Sequence, residues 1–319
     1  MPFSDYKTAL VTGASTGIGA AIVERFCREG LEVHALARNV DRLNELAART
    51  GCIAHAIDVC DLDAVTTLTQ QVPFDIVVNN AGVSRKGSIL DAGVEDIDVQ
   101  VEVNLQAVLH LVRLTMPGMV ARDRGHIVNI SSIVAIYNFN GNSIYHATKA
   151  GIHALSRQLR VDATGKRVRV TEICPGRVAT DIFGHVHGDI EEARKKFIDG
   201  FELPQPSDIA DAIAFAIAAP LAVNISNMEI LPTLQVPGGL TTIKREPSAT
   251  TCSSAATCMA RHSAFSAWDA LVRPLRGAVH SASACASSIT TARDSRLKWK
   301  RAATRAMSTR KHCCVSRII

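Results

Sequence analysis

The stretch from Thr8 to Arg28 places the tightest limit on what this chain can fold into. TALVT at 8–12 is a short apolar run with strand character, GASTGIG at 13–19 breaks it, and AAIVERFCR at 20–28 repeats with helical period. A glycine loop between a strand and a helix lets backbone N–H groups approach a pyrophosphate at the helix N-terminus, where the dipole favours negative charge. Glycine also marks ordinary tight turns, so it is the placement between strand and helix that makes this loop a phosphate site. Further short apolar runs follow at 32–37, 53–57, 75–78, 126–131, 169–174 and 227–232, with helical periodicity at 105–119, 147–162 and 207–217. Near-continuous apolar strands alternating with helices predict an α/β fold, a doubly wound parallel sheet with its ligand at the carboxyl ends of the strands.

A second stretch carries reactive groups. Ser132 ends the apolar run at 126–131, and Tyr145 and Lys149 follow at i and i+4 on what reads as a helix start. That spacing stacks phenol and ammonium on one helical face. A phenol, with a reference pKa of about 10, exchanges protons poorly at neutral pH, whereas a fixed ammonium beside it favours the phenolate and makes it a usable general acid/base. Taken alone, a Tyr and a Lys one turn apart are surface residues of an amphipathic helix. The remaining motifs decide between the two.

Together these residues resemble the short-chain dehydrogenase/reductase (SDR) family. Its T-G-x3-G-x-G runs from Thr12 to Gly19, its N-N-A-G from Asn79 to Gly82, its helical Asn is Asn104, its Ser-Tyr-Lys set is Ser132, Tyr145 and Lys149, and its P-G turn is Pro175-Gly176. They occur in order and at family spacing over about residues 5–240. The resemblance implies a Rossmann fold in a single domain at 1–240 and hydride transfer between a nicotinamide cofactor and a small carbonyl or alcohol. It places Gly13, Ser15, Thr16, Gly17, Ile18 and Gly19 on the pyrophosphate, Asp58 and Val59 at the adenine end, Asn80 on a ribose, and Tyr145 and Lys149 on the nicotinamide ribose. Pro175, Gly176, Val178 and Thr180 would hold the carboxamide side. Ser132 would polarise the substrate carbonyl, and Asn104 would bend its helix locally and hold a water linking the lysine to solvent. No metal is implied, and homodimers or homotetramers prevail in the family. Ala37 stands where NAD-preferring members carry an acid, and Arg38 follows it as in NADP-preferring ones, so NADP(H) is expected rather than NAD(H). A solvated arginine starting a helix is the structural alternative for Arg38.

Within the family the chain looks most like bacterial NADP-dependent 3-hydroxy acid (serine 3-) dehydrogenases, through PGMVARDRGHIVNI, RVRVTEICPG and NISNMEILP. These segments are scaffold and constrain the substrate little. Arg177, after the P-G turn, is a candidate for a substrate carboxylate, though it could equally face solvent or cofactor. Tyr137, Asn138, Asn140, Asn142 and His185 are further candidate pocket residues, and 178–200 matches the variable lid. Ile133 to Ile136 replaces a common Ala-Gly pair, so the substrate loop is expected to run differently. Neutral ketones or sugars stay open as substrates. An epimerase of the extended branch requires T-G-x2-G-x2-G, which Gly13, Gly17 and Gly19 do not fit. A non-catalytic NADPH-binding sensor would tolerate loss of Tyr145 or Ser132, and both are present.

Charge divides the chain. Residues 241–319 carry 14 Lys and Arg against 3 Asp and Glu, leaving 21 against 27 for 1–240, so the net +5 conceals an acidic body and a basic tail. The tail holds 12 Ser and 15 Ala without sustained period, which predicts a disordered segment with the composition of an out-of-frame or foreign extension. Patternless basicity is weak evidence for nucleic-acid binding, and none is expected. Cys27, Cys52, Cys60 and Cys174 show no C-x-x-C spacing and read as reduced thiols. No apolar run approaches the roughly 18 residues a membrane span needs, and no signal-peptide pattern opens the sequence. The expectation is a soluble cytoplasmic protein.

Overall fold

The computed structural model describes residues 3, 5–85, 88–180, 182 and 190–235. The tail at 241–319 and the candidate His185 lie outside the described residues. Seven parallel strands form one sheet: β1 (Thr8–Thr12), β2 (Glu32–Ala37), β3 (Ile53–Ala56), β4 (Ile76–Asn79), β5 (Gly125–Ile130), β6 (Val168–Pro175) and β7 (Asn227–Ile230). Their spatial order is β3-β2-β1-β4-β5-β6-β7. The doubly wound sheet expected from the apolar runs is therefore present, with the order reversing beside β1 and leaving a crevice between the ends of β1 and β4.

Strand alternation sorts the side chains to two faces. Ala9, Val11, Val33, Ala35, Val78, Val128 and Ile173 meet α1 (Gly17–Arg28) and α2 (Val40–Thr50) on one side, together with Ile209, Ile213 and Ile217 of a helix at Pro206–Ala218. Leu10, Leu36, Val77, Ile127 and Val170 meet α3 (Leu62–Gln71) and the helices at Ala107–Ala121 and Ser143–Asp162 on the other. Both faces of the central strands are dry, which is why their sequences read as unbroken apolar runs.

The long helix expected at 105–119 begins earlier. α4 (Val94–Val101) passes through a π-helical turn at Glu102–Gln106 into α5 (Ala107–Ala121). VEDIDVQV conceals its helix because the apolar positions do not form a buried stripe: Val94 is 74 % exposed, and the one buried side chain is Gln100. After β5, a 3₁₀ turn at Ile133–Ala135 leads toward α6 (Ser143–Asp162). EEARKKF forms most of α7 (Ile190–Phe197), and α8 (Pro206–Ala218) is opened by a capping box between Gln205 and Asp208. β7 stops two residues short of the expected run, before Leu231 and Pro232.

Candidate active site

The carboxyl ends of β1 and β4 are tied together by side chains. Thr12 Oγ1 accepts the backbone N–H groups of Asn80 and Ala81, both at 3.0 Å. Asn80 returns the contact, its amide nitrogen donating to the carbonyls of Thr12 at 2.9 Å and Gly13 at 3.1 Å. Asn80 thus spends its donor on holding the glycine loop, while still lining the cleft described below. The loop is open because glycines keep it so. Gly13 sits at φ +63°, and a β-carbon there would lie 2.8 Å from Ala81 Cα; one at Gly19 would lie 2.2 Å from the Gly13 carbonyl oxygen. α1 starts at Thr16 without a side-chain cap and without an acid in its first turn, leaving a helix N-terminus suited to an anion. Ser15 is half-buried and Thr16 exposed at this turn, and Ile18 lines the cleft.

Arg38 stands just beyond β2, exposed, with Nη1 3.8 Å from an Asp58 carboxylate oxygen just beyond β3. Val59 packs beside the α3 face of the core. A cation and an acid thus sit together at the end of the sheet where the resemblance places the adenosine.

The reactive groups come from β5, the π turn and α6. Ser132 caps the 3₁₀ turn, its Oγ accepting from Val134 N at 3.3 Å. Tyr145 lies in the first turn of α6, with Lys149 one turn on. Lys149 Nζ donates to the Ile130 carbonyl at 2.8 Å and lies 5.7 Å from the centre of the Tyr145 ring. Burial pushes the Tyr145 phenol up to about 12, and a hydrogen bond with Ser132 pulls the other way. Burial also pushes Lys149 down to about 8. The expectation that the ammonium lowers the phenol is therefore not what the protein's own groups produce. Desolvation dominates, and the Ile130 carbonyl anchors the ammonium near the ring.

Asn104 sits in the π turn, fully buried, and its amide satisfies both backbone groups of Val83: Oδ1 accepts from N and Nδ2 donates to O, each at 2.8 Å. Nδ2 also reaches Thr148 Oγ1 at 3.3 Å. Gly82 fits between these groups; a β-carbon there would stand 3.4 Å from Asn104 Oδ1 and 3.6 Å from Lys149 Nζ.

Between these groups and β6 lies a cleft of about 420 Å³, bounded by Ser132, Tyr145, Lys149, Arg177, Ile182 and Phe197 among others. Pro175 pairs with Ile230 at the end of the sheet. Gly176 leaves room for the Gln235 side chain, whose Oε1 accepts from Arg177 N at 3.2 Å; a β-carbon at 176 would fall 2.5 Å from that oxygen. Val178 is buried in the core, and Thr180 Cγ2 lies 3.4 Å from where a Gly17 β-carbon would stand, facing the glycine loop. The Arg177 guanidinium is half-buried in the cleft wall, 5.7 Å from the Phe197 ring centre and 5.1 Å from that of Phe201. Of the remaining candidates Asn142 lines the cleft, whereas Tyr137, Asn138 and Asn140 are not among the described lining residues. Gln235, Ile182, Phe197 and Phe201 escaped the sequence reading. Phe197 was legible as one face of EEARKKF, but nothing near Gln235 announces its role.

Among the described residues no group of three His, Cys, Asp or Glu side chains could hold a metal ion, and no helix is long and apolar enough to cross a membrane. The groups present fit a dinucleotide: a loop whose space two β-carbons would fill, an open helix N-terminus and a cation at the far end.

Comparison with known proteins agrees. The family model described as short chain dehydrogenase matches residues 7–190. A short-chain type dehydrogenase/reductase of Sinorhizobium fredii is 37 % identical over 239 residues, covering 75 % of this chain and 96 % of the relative. The NADP-dependent 3-hydroxy acid dehydrogenase YdfG of Escherichia coli is 35 % identical over 241 residues, covering 72 % and 97 %. The closed form of serine dehydrogenase complexed with NADP+ superposes with a TM-score of 0.70 at 33 % identity, covering 75 % of this chain and all of that one.

Proposed function

The chain belongs to the short-chain dehydrogenase family, an oxidoreductase of alcohols and carbonyls with NADP(H), and from that premise we propose that it interconverts a small 3-hydroxy acid and its 3-oxo acid. The observation that carries the substrate class is Arg177, a guanidinium in the wall of the same cleft as Ser132 and Tyr145. Relatives named for 3-hydroxy acids and serine support it. NADPH, when bound, supplies the hydride. The glycine loop would hold its pyrophosphate and Arg38 its 2′-phosphate. Ser132 donates a hydrogen bond to the substrate carbonyl oxygen and fixes its orientation. Tyr145 gives its proton to that oxygen in reduction and takes one from the alcohol in oxidation. Lys149 compensates the phenolate so formed. Asn104 ties the π turn to Val83 in the loop after β4, next to the Gly82 that lies close to Lys149. The catalytic apparatus lies in 1–240, and the protein acts in the cytoplasm as a homodimer or homotetramer. Val101, Leu109 and Val161, exposed on α4, α5 and α6, support the assembly.

The test is NADPH consumption against 3-oxo acids and matched neutral ketones, with L-serine and other 3-hydroxy acids plus NADP+ in reverse. Tyr145→Phe should lower kcat by about 10²–10⁴ while NADPH still binds. Arg177→Met should raise KM for the acids by roughly ten- to a hundredfold, the loss of one charged hydrogen-bonding partner. Turnover of neutral ketones as fast as of the matched acids, with the KM for the acids unchanged in Arg177→Met, would remove the acid as substrate class and keep the reductase.

A further inference from the structure

β6 carries a carboxylate where a strand interior is expected to be apolar. Glu172 is 1 % exposed, on the strand next to the β7 edge of the sheet and in contact with His153 of α6. Its Oε2 accepts from His153 Nδ1 at 2.8 Å and from Asn227 Nδ2 at 3.0 Å. Oε1 is buried with no hydrogen-bond partner among the described residues. A buried carboxylate with half its acceptors unused is costly unless its charge serves something.

What it serves lies one helical turn from His153. Lys149 and His153 are i and i+4 on α6, and Cys174 and Glu172 are i and i+2 on β6, so both pairs face each other across the helix–sheet contact. We propose that Glu172 is the counter-charge that keeps the Lys149 side chain an ammonium, and that His153 and Asn227 clamp the carboxylate in place for it. Burial discharges Lys149, and the groups working against it are Cys174 and Glu172. Burial first, and then Glu172, push the Cys174 thiol up to about 12, so near neutral pH the thiol carries no charge that could hold the ammonium. Asn227 also donates to Cys174 Sγ at 3.3 Å, tying thiol and carboxylate into one unit. The other charges around this unit sit at its margins. Arg160 and Arg157 lie farther along α6, Arg160 donating to the Ser226 carbonyl, and Glu229 is exposed on β7. Glu172 is not among the described residues lining the cleft and is a positioning residue acting through Lys149. The inference rests on the reading of Lys149 as the charge that compensates the Tyr145 phenolate.

The test reads Lys149 itself. Competitive acylation of the full-length protein with acetic anhydride, followed by peptide mass spectrometry, gives the pH midpoint of Lys149 reactivity without turnover. Glu172→Gln keeps the shape and removes the charge, and should lower that midpoint by about one pH unit. Glu172→Asp returns the charge and should restore most of the midpoint even where its melting temperature falls, which a packing role would not do. Glu229→Gln, an exposed charge on the neighbouring strand, should leave it in place. In turnover, Glu172→Gln should then be about fivefold slower than the parent at pH 8 and close to it at pH 6, the ratio expected from that shift. A midpoint unmoved in Glu172→Gln, or lowered as far in Glu172→Asp, overturns the inference. Silence of the parent protein toward every carbonyl would count against the reductase reading, and the labelling midpoints would still decide this one.

Discussion

Arg38 is 73 % exposed, and its nearest acid, Asp58, is 3.8 Å away. An exposed pair of that length is worth at most about 1 kcal/mol, so the guanidinium is available to a 2′-phosphate at little cost. Arg38→Ala is expected to reduce the preference for NADPH over NADH by roughly ten- to a hundredfold, read as the ratio of kcat/KM values; an unchanged ratio would return Arg38 to the role of a solvated helix-starting residue. Lys149 gives a second prediction at this scale. Its folded pKa, about 8, lies below the ordinary lysine value of about 10.4. Between the two the unfolded chain holds a proton that the folded one has released, so this group's contribution makes stability rise with pH across that window. Lys149→Met should flatten the rise in urea midpoint between pH 8 and 10, and an identical slope would mean the lysine is not discharged by folding. Spacing together with the other motifs made Tyr145 and Lys149 legible. The direction of the phenol's shift was not, because it depends on how much water the fold removes from both groups, and no residue count reports that. Gln235 and Glu172 were missed for a related reason: each acts through a partner more than 15 residues away in sequence, Arg177 and His153 respectively.

At the level of elements, the loop between β1 and α1 is closely confined. A methyl group at Gly19 would meet the Gly13 carbonyl oxygen at 2.2 Å, and that carbonyl is fixed by Asn80. Gly19→Ala should therefore displace the loop, abolish measurable NADPH binding by fluorescence titration and lower the melting temperature; tight binding by a well-folded Gly19→Ala protein would show that the loop can yield. The same element was readable from sequence almost to the residue, since glycines cluster where backbone approaches backbone. α4 was not. Val94 and Val101 are exposed and Ile97 and Val99 only half-buried, and its π turn is tied to Val83 by Asn104, so periodicity in 94–106 had little to report. The 3₁₀ turn after Ser132 is similarly set by the serine's own cap instead of by the Ile133–Ala135 side chains.

For the whole molecule, the acidic body and basic tail behave as separate compositions. Every described residue lining the cleft precedes position 236, so a chain ending at Glu246 is expected to retain kcat within about twofold, measured beside the full-length protein at equal concentration; a large loss would give the tail a part in catalysis or assembly. The strand order β3-β2-β1-β4-β5-β6-β7 adds a consequence in time. Every strand after β1 except one is laid beside the strand made just before it. β4 alone must return past two finished strands to join Val78 to Val11, and that return is the long closure in the chain's history. As synthesis proceeds, the residues of the phosphate-binding half are made before the helix that bears Tyr145. The crevice between the ends of β1 and β4 is thus also the seam where the strand order reverses, and the residues of the nucleotide's seat are synthesised before the groups that use it.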